Sequence, residues 1–372
     1  MATSTESAES KSIKMGEEYG EKAVVQQSAT SRALGERIMY NLVMKRINDN
    51  REDFDGSSSF RMAEFGSADG TNSFDLIKDV IRAVREVDAE KPIEILCNDL
   101  PSANFGELFK TLKPLEAEFK NVHIMVAGDS FYRQVFAKNS IDIAFSFTSI
   151  HWLSKVPCFM ESRYYVPFGL ECADQERKAL WEEQGRVDWR TFLAAREKEL
   201  KKGGLLYVTT LGFTDAPEDT DHLHASVNIC LMEKMVNVLE KNNLGEFKHQ
   251  FNFPVMHRQE KHYREAFEGD SPVEGLELYD YSNYKVEGGV LNTIAQQGDL
   301  EAMIKAIAGV NKVGCTPYYK GRLGLIESLT PEDRDRVLAE IEATWIPTLK
   351  EVVTLEFAKT LSPFNELFIR KV

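Results

Sequence analysis

Short apolar segments alternate with longer amphipathic ones between residues 60 and 212, and this alternation constrains the fold more than any other feature of the sequence. Strands are predicted where the apolar runs are short, at 60–65, 93–99, 122–128, 141–149 and 205–212. Helices are predicted where apolar residues recur at helical spacing, at 73–87, 104–119 and 189–204. Strands that alternate with helices pair in parallel, which predicts an α/β fold with a doubly wound, mostly parallel sheet.

The remaining sequence sets the predicted domain organisation. Residues 28–49 repeat apolar positions at helical spacing and are predicted to form a helix. After residue 213 the pattern becomes mainly helical, apart from a strand-like segment at 275–287. We therefore predict a disordered N-terminal segment (1–18), a ligand-binding α/β domain (19–212), and a mainly helical cap (213–372) whose C-terminal elements return to the sheet.

Charge and composition exclude several classes of partner. The 59 acidic residues outnumber the 45 basic ones, which gives a net charge of -14. Because no excess of Lys and Arg is available to neutralise phosphates, nucleic acid and anionic membranes are disfavoured as partners. No apolar run approaches the roughly 20 residues of a membrane span. The five cysteines are scattered and form no C-x-x-C pair, which indicates reduced thiols and a cytoplasmic protein.

The stretch "RMAEFGSADGTNSF" (61–74) reads as a strand, a tight turn and a helix start. Its form is acid-x-Gly-x-Ala-x-Gly, with Glu64, Gly66, Ala68 and Gly70 in the named positions. Small residues let the backbone approach a ligand, and the following helix directs free N–H groups to the same place. The acid before the turn and the absence of G-x-G-x-x-G favour S-adenosylmethionine over a dinucleotide. The same residues could also form a solvated strand end and a plain turn.

Ligands of doubly wound sheets bind beyond the carboxyl ends of the strands, so the residues that follow each strand are the candidates. Asp99 ends the second predicted strand, where a carboxylate that only accepts hydrogen bonds can hold both hydroxyls of a ribose. An S-adenosylmethionine site therefore requires Asp99 to lie beside the turn at 66–70.

Longer segments resemble the plant SABATH family, the salicylate, jasmonate and caffeine-type methyltransferases. "CNDLPSANFGELFKTL" (97–112) is similar to the family's N-D-L-P-x-N-D-F segment. "AGDSFYRQVFAKNSIDIAFSFTSIHWLSKVP" (127–157) resembles its G-S-F-Y-x-R-L-F-P and W-L-S-x-V-P segments. The resemblance covers most of the chain and is weakest after about residue 290. It implies a Rossmann-like class I methyltransferase fold.

The resemblance also implies roles for individual residues. Asp99 and Leu100 would hold the ribose and adenine region, and Ser130 and Phe131 would flank the adenine. Gln26 and Trp152 match the pair that hydrogen-bonds the substrate carboxylate, and His151 matches a variable substrate-contacting position. The predicted cofactor-binding set is Tyr19, Glu64, Gly66, Asp99, Leu100, Ser130, Phe131 and Ser146, and the predicted catalytic and substrate-binding set is Gln26, His151 and Trp152.

Several positions depart from the family pattern. Ala23 replaces a serine that contacts the cofactor, and Thr148 replaces a tyrosine that touches cofactor and substrate. His249 replaces the acid of the D-x-F-N motif, so Asn252 is the one clear match to the family's magnesium site. This loss argues against a bound Mg²⁺.

The implied chemistry needs few side chains. A carboxylate, with a reference pKa near about 4, is ionised at neutral pH, so methyl transfer to it requires no general base. The neutral donors of Gln26 and Trp152 can orient the carboxylate without reducing its nucleophilicity. The function predicted is O-methylation of a small, partly apolar acid by S-adenosylmethionine. The alternatives are N-methylation of a small heterocycle, an NAD(P)-dependent oxidoreductase, and a non-catalytic binding protein. Members of this family are often homodimers, which makes a homodimer a further expectation.

Overall fold

The computed structural model describes residues 24–160, 175–212, 221–268, 272–286, 290–355 and 362–372. Its centre is a seven-stranded sheet in the order β3-β2-β1-β4-β5-β7-β6. The strands are β1 Phe60–Phe65, β2 Ile93–Asp99, β3 Val122–Gly128, β4 Ile141–Phe147, β5 Leu200–Leu211, β6 Leu276–Val286 and β7 Ser362–Lys371. The first five pair in parallel, and β7 is antiparallel to both β5 and β6. The predicted α/β class and the mostly parallel sheet are confirmed.

The helices before residue 221 cover the two faces of the sheet. They are α1 Val24–Gly35, α2 Ile38–Asp49, α3 Arg51–Gly56, α4 Phe74–Val87, α5 Phe105–Glu118 and α6 Gln175–Glu199. Alternate residues of a strand point to opposite faces. Met62 of β1 therefore belongs to the core that includes residues of α2, α4 and α5, whereas Phe65 belongs to the core that includes Trp189 and Phe192 of α6. The sheet is therefore buried on both sides, as its continuous apolar strands require.

The helices after residue 221 build a second apolar core. They are α7 Asp221–Lys241, α8 Glu260–Arg264, α9 Val290–Gln296, α10 Leu300–Gly324, α11 Pro331–Ala343 and α12 Trp345–Val352, with a 3₁₀ helix at Gly245–Phe251. Leu239, Phe251, Leu323 and Ile341 are among its fully buried members. The strand-like segment at 275–287 is β6 and returns with β7 to the sheet. The predicted domain boundaries at 18 and 212 remain a prediction, because residues 1–23 and 213–220 lie outside the described residues.

Two predicted helices differ from the structure. The helix at 28–49 is two helices, because Arg37 between α1 and α2 adopts the left-handed region with φ 53°. The helix at 189–204 ends at Glu199, and the Lys-Lys-Gly-Gly run belongs to β5 instead. There Gly203 has φ 70°, and the pairing with β4 shifts register between Ile141 and Ile143. A bulge of this kind depends on the partner strand β4, which is distant in the sequence. The local sequence at 200–204 therefore does not show where the helix ends and the strand begins.

A buried ion network fixes the opposite end of the sheet, where β4 and β5 begin. Asp142 is almost fully buried and accepts from Arg46 Nη2 at 2.9 Å and from Lys201 Nζ at 3.0 Å. Its second oxygen accepts the main-chain N–H of Arg61 at 3.0 Å. One carboxylate thus joins α2 to the first residues of three strands.

Asp142→Asn leaves two cations facing a neutral amide, so we expect the free energy of unfolding to fall by about 3–5 kcal/mol. Urea denaturation measures this change. Asp49→Asn is the matched control, because Asp49 pairs with Lys45 at 2.8 Å on the surface and its loss should cost less than about 0.5 kcal/mol. Equal effects of the two substitutions would contradict a dominant role for the network.

Candidate cofactor and substrate site

The carboxyl ends of β1, β2 and β3 are tied together by main-chain hydrogen bonds. The N–H groups of Gly66 and Ser67 donate to the carbonyl of Asn98 at 2.8 and 3.0 Å. The N–H of Asp129 donates to the carbonyl of Asp99 at 3.0 Å. The loops predicted to bind ligand therefore start from one rigid edge.

The turn at 66–70, called the glycine turn below, contains three residues with positive φ. These are Gly66 at 83°, Ala68 at 47° and Gly70 at 76°. A Cβ on Gly66 would lie 2.1 Å from Ser149 Oγ, and one on Gly70 would lie 3.2 Å from Leu112 Cγ. The backbone conformation and close packing against one other loop and one helix thus require the glycines. The sequence alone instead suggests that they let the backbone approach a ligand.

Asp99 lies directly beside the glycine turn. Its Oδ2 accepts the N–H of Ala68 at 2.7 Å, and its Oδ1 accepts the N–H of Leu100 at 2.7 Å. Leu100 is half-buried beside it. Two main-chain donors hold the carboxylate in place, and each oxygen keeps further acceptor capacity. The juxtaposition that an S-adenosylmethionine site requires is present.

Glu64, the last polar residue of β1, is buried rather than solvated, with 4% of its surface exposed. Ser73 Oγ donates to its Oε2 at 2.9 Å. Burial, together with the nearby charges of Asp99 and Asp69, raises the pKa of Glu64 to about 8. Burial also raises the pKa of Asp99. Two carboxyl groups with hindered ionisation therefore meet at the glycine turn.

Residues 129–136, the loop after β3, carry Ser130 and Phe131. The N–H of Ser130 donates to Asp129 Oδ1 at 2.8 Å, and its Oγ accepts the N–H of Tyr132 at 3.3 Å. The Phe131 ring packs edge-on against Tyr132, with centroids 4.7 Å apart. Both predicted adenine-flanking residues thus lie in a short, internally bonded loop next to Asp99.

Residues 148–154, the loop after β4, carry His151 and Trp152. Ser149 Oγ donates to the Gly66 carbonyl at 3.2 Å, which places this loop against the glycine turn. The N–H of Trp152 donates to the Ser149 carbonyl at 3.1 Å, and its carbonyl accepts Tyr132 Oη at 2.5 Å. Within the described ranges, the indole N–H of Trp152 has no protein acceptor. A fixed, neutral donor is left available for a ligand.

His151 lies behind Trp152 and is 5% exposed. Its Nδ1 is 3.5 Å from Thr210 Oγ1, and its ring centroid is 5.9 Å from that of His257. Burial and the charges of His257 and Arg258 hold the pKa of His151 well below its usual value. The imidazole is neutral at physiological pH and supplies no positive charge to a bound carboxylate.

The predicted cofactor residue Ser146 is fully buried within β4, and its hydroxyl donates to the Phe65 carbonyl at 2.9 Å. The structure therefore shows it bonding the end of β1 and does not bring it together with the loop residues. Its role toward a cofactor stays a prediction.

Gln26 belongs to α1, and the description of α1 includes its backbone but not the Gln26 side chain. Tyr19 and Ala23 lie outside the described residues. The C-terminal half of α1 is anchored on the sheet, because Arg32 Nη1 donates to the buried Glu366 at 2.7 Å and its guanidinium lies 3.9 Å from the Tyr284 ring centroid. The helix that carries Gln26 is therefore attached to the sheet at its C-terminal half.

Asn252, the candidate magnesium ligand, is fully buried, and both ends of its amide are occupied. Its Oδ1 accepts the N–H of Met160 at 2.8 Å, and its Nδ2 donates to the Met160 carbonyl at 3.0 Å. His249 is exposed, and its Nδ1 is 2.9 Å from the Glu246 carbonyl. Among the residues the structure describes, no group of three His, Cys, Asp or Glu side chains is arranged to hold a metal ion.

A family model for S-adenosylmethionine-dependent carboxyl methyltransferases matches residues 10–312. The chain belongs to this family. The predicted SABATH identity is confirmed, and so, at the level of the family, are the predicted enzyme class and the cofactor.

Curated relatives carry related names. Indole-3-acetate O-methyltransferase 1 of rice is 24% identical over 76% of both chains. Loganic acid O-methyltransferase of Catharanthus roseus is 27% identical over 56% of this chain and 58% of its own length. Farnesoic acid carboxyl-O-methyltransferase of Arabidopsis thaliana is 33% identical over 44% and 49%. The chain spans about half the length of several curated relatives that it matches.

Among solved structures, loganic acid methyltransferase with SAH has the same fold. Its TM-score is 0.73 at 19% identity, over 96% of this chain and 98% of that one. The class I methyltransferase fold is thereby confirmed. None of the helices in the described ranges is both long and apolar enough to cross a bilayer.

The acidic side chains at the glycine turn fit the cofactor of this carboxyl methyltransferase family. The charge of Asp99 raises the electrostatic cost of ionising Glu64, and no Lys or Arg in the described ranges forms an ion pair with either carboxyl group. S-adenosylmethionine carries a sulfonium and an ammonium group, so its positive charge would relieve this repulsion. Asp99 would hold the ribose, and Glu64 would face the cationic part.

Sequence reasoning missed the residues that fix the two loops. Tyr132 lies within the quoted "SFYRQVF" run, so its position could have been noticed. Asp188 accepts from the N–H and the Oγ of Ser154 at 2.7 Å each, and Arg258 Nη1 donates to the Ile150 carbonyl at 2.6 Å. Neither Asp188 nor Arg258 stands in a motif, and both are far from the 148–154 loop in sequence.

Glu64 makes the stability of the cofactor-free protein depend on pH. Folding raises its pKa from 4.5 to about 8, so the folded state holds a proton that the unfolded state releases. Stability therefore falls as pH rises from about 4.5 to 8 and levels off above 8. Glu64→Gln should remove this slope and raise the free energy of unfolding at pH 9 by a few kcal/mol, roughly, while changing little at pH 5.

Urea denaturation between pH 5 and pH 9 measures this effect. Glu107→Gln is the control, because Glu107 pairs with Lys110 on the surface and contributes little at any pH. The same slope in wild type and Glu64→Gln would contradict the assignment.

Proposed function

We propose that this protein transfers the methyl group of S-adenosylmethionine to the carboxylate of a small, partly apolar acid and forms its methyl ester. The observation that carries the proposal is the indole N–H of Trp152, which has no acceptor among the described residues and lies on a loop that contacts the glycine turn. The names of the relatives support it, since indole-3-acetate, loganic acid and farnesoic acid are all carboxylic acids.

S-adenosylmethionine, when bound, supplies an electrophilic methyl group on sulfur. The chain's own task is alignment, for which oriented groups can lower a barrier by roughly 7–11 kcal/mol. Asp99 and Glu64 would hold the cofactor from the glycine turn. Trp152 and, from α1, Gln26 would hold the acid and orient its carboxylate toward the methyl group.

No side chain has to remove a proton, because the acid is already ionised at neutral pH. The neutral state of His151 agrees with this requirement, since burial and its charged neighbours keep its pKa low. A neutral imidazole can contact the substrate or support the Trp152 ring, from whose centroid it lies 5.8 Å, without weakening the nucleophile.

Aromatic rings beside Trp152 favour an acid with an apolar or aromatic body. The Phe253 ring lies 6.2 Å from Trp152 in an edge arrangement and stacks on Tyr318 at 4.5 Å. These rings belong to the region after residue 213, so the helical cap supplies the apolar wall and the α/β region supplies the cofactor site. The proposed cofactor set is completed by Tyr19, Leu100, Ser130, Phe131 and Ser146.

We also propose that the protein is cytoplasmic and acts as a homodimer.

The test is a screen with methyl-labelled S-adenosylmethionine over aromatic, fatty and terpenoid acids, followed by identification of the labelled ester. Label in an ester of at least one acid supports the proposal. Label on ring nitrogen of a heterocycle alone would establish N-methylation instead. No transfer to any acid, or calorimetric binding of NAD(P) without S-adenosylmethionine, would overturn it.

Trp152→Phe keeps the ring but removes the N–H. We expect kcat/KM for the acid to fall about 10- to 100-fold, as for the loss of a hydrogen bond to a charged group. Gln26→Ala should act in the same direction. The affinity for S-adenosylmethionine, measured by calorimetry, should stay within about twofold, because neither residue belongs to the proposed cofactor set.

Trp189→Phe is the matched control for Trp152→Phe. The Trp189 indole donates to the Tyr263 carbonyl at 3.2 Å inside the core, so its loss should lower the melting temperature and spare kcat/KM. Unchanged turnover in both Trp152→Phe and Gln26→Ala would refute the proposed pairing.

A further inference from the structure

Helix α6, Gln175–Glu199, lies against both loops of the proposed site and bonds to their main chains. Building on the proposed function, we propose that α6 sets the two halves of the site separately. The Arg196–Glu199 ion pair positions the 129–136 loop for the cofactor, and Asp188 positions the 148–154 loop for the acid.

Glu199 holds one end of the 129–136 loop. It is fully buried, and its Oε1 accepts the N–H groups of Val135 and Phe136 at 2.5 and 2.9 Å. Its Oε2 accepts Arg196 Nε at 2.7 Å. The carboxylate therefore satisfies two main-chain donors of a loop that has no strand or helix partner for them.

Arg196 holds the other end of the same loop. It is also fully buried, and its Nη1 and Nη2 donate to the carbonyls of Phe131 and Arg133 at 2.8 and 2.9 Å. Its guanidinium lies 3.7 Å from the ring centroid of Phe65, the residue before Gly66. The ion pair thus makes four hydrogen bonds to the main chain of the loop. It also places the loop beside Phe65, which precedes the glycine turn.

Asp188, three helical turns earlier, holds the 148–154 loop. Its two oxygens accept the N–H and Oγ of Ser154, and Gln184 Nε2 donates to its Oδ1 at 2.8 Å. Arg258, which donates to the Gly185 carbonyl of α6, also donates to the carbonyl of Ile150. Trp152 therefore lies between two loop residues that are anchored to or through α6.

These contacts differ from those of an ion pair that only stabilises the fold. The buried Arg46–Asp142 pair connects α2 with the starts of strands and touches neither loop. Replacing a whole buried ion pair by apolar residues often costs little stability, because its desolvation offsets its attraction, whereas its geometry is specific. The polar side-chain atoms of Arg196, Glu199 and Asp188 bond to the main chain of the two loops. They therefore fix the positions of the loop residues that are proposed to contact the ligands.

The test compares Glu199→Gln, Arg196→Lys and Asp188→Asn in the full-length protein. Gln places an NH₂ group where only acceptors fit, and Lys lacks the fork that reaches two carbonyls. Hydrogen exchange of the cofactor-free protein should become about tenfold faster in 129–136 for the first two variants, and in 148–154 for Asp188→Asn only. Arg196→Lys is the milder change should Glu199→Gln fail to fold.

Calorimetry with S-adenosylmethionine and with S-adenosylhomocysteine supplies the second readout. Glu199→Gln and Arg196→Lys should lower the affinity for both ligands about tenfold. Asp188→Asn should leave both affinities within about twofold and reduce kcat/KM for the acid about tenfold. Asp142→Asn is the control that lowers stability without changing either affinity. Each variant is measured at a temperature where circular dichroism shows it folded.

The inference would be overturned if the Glu199→Gln and Arg196→Lys proteins fold and bind both S-adenosylmethionine and S-adenosylhomocysteine with wild-type affinity. Exchange that accelerates in both loops for every variant would also overturn it, since α6 would then act as a single structural support. Wild-type protein that binds S-adenosylmethionine but methylates no acid would overturn the proposed function and leave the cofactor half of this inference standing.

Discussion

The structure depends on how the polar main chain of its ligand loops is satisfied at the carboxyl edge of a parallel sheet. The strand ladder ends there, and every N–H beyond it needs another acceptor. Carboxylates meet this need. The half-buried Asp99 accepts from Ala68 and Leu100, and the buried Glu199 and Asp188 accept from Val135 and Phe136 and from Ser154, respectively. A carboxylate can accept several such bonds at once, so three side chains fix three loops.

The carboxylates used in this way are not electrically equivalent. Glu199 is paired with Arg196, which offsets its negative charge. Burial raises the pKa of Asp188, and the hydrogen bonds from Ser154 and the charge of Arg258 act against this rise. Glu64 and Asp99 have no such partner in the described part of the chain, and burial raises the pKa of both. These two carboxyl groups lie at the glycine turn, where the cationic cofactor is proposed to bind. Arg196 and Arg258 instead donate to the loops at 129–136 and 148–154.

Sequence alone predicted the centre of the sheet and the residue types at its edge. The ends of β1, β2 and β3 match the predictions because each strand is a short apolar run closed by a polar residue or a glycine. The break at Arg37 and the start of β5 at Leu200 were predicted wrongly, since a single left-handed residue and a bulge opposite β4 leave no periodic signal. Asp188, Arg196 and Glu199 were missed because they act on loops that lie 34 to 65 residues away in the chain.

Backbone strain lies at the same edge. Apart from the glycines, Ala68 at φ 47° and Thr148 at φ 49° are left-handed in the glycine turn and at the start of the 148–154 loop. Such a conformation costs about 1–3 kcal/mol and persists only where the surroundings impose it. Asn adopts it more readily than a β-branched residue such as Thr. The bond from the Thr148 N–H to the Thr209 carbonyl at 2.7 Å, followed by the Ser149–Gly66 contact, imposes it here. Together these two contacts hold the backbone turn that leads from β4 into the loop that carries Trp152.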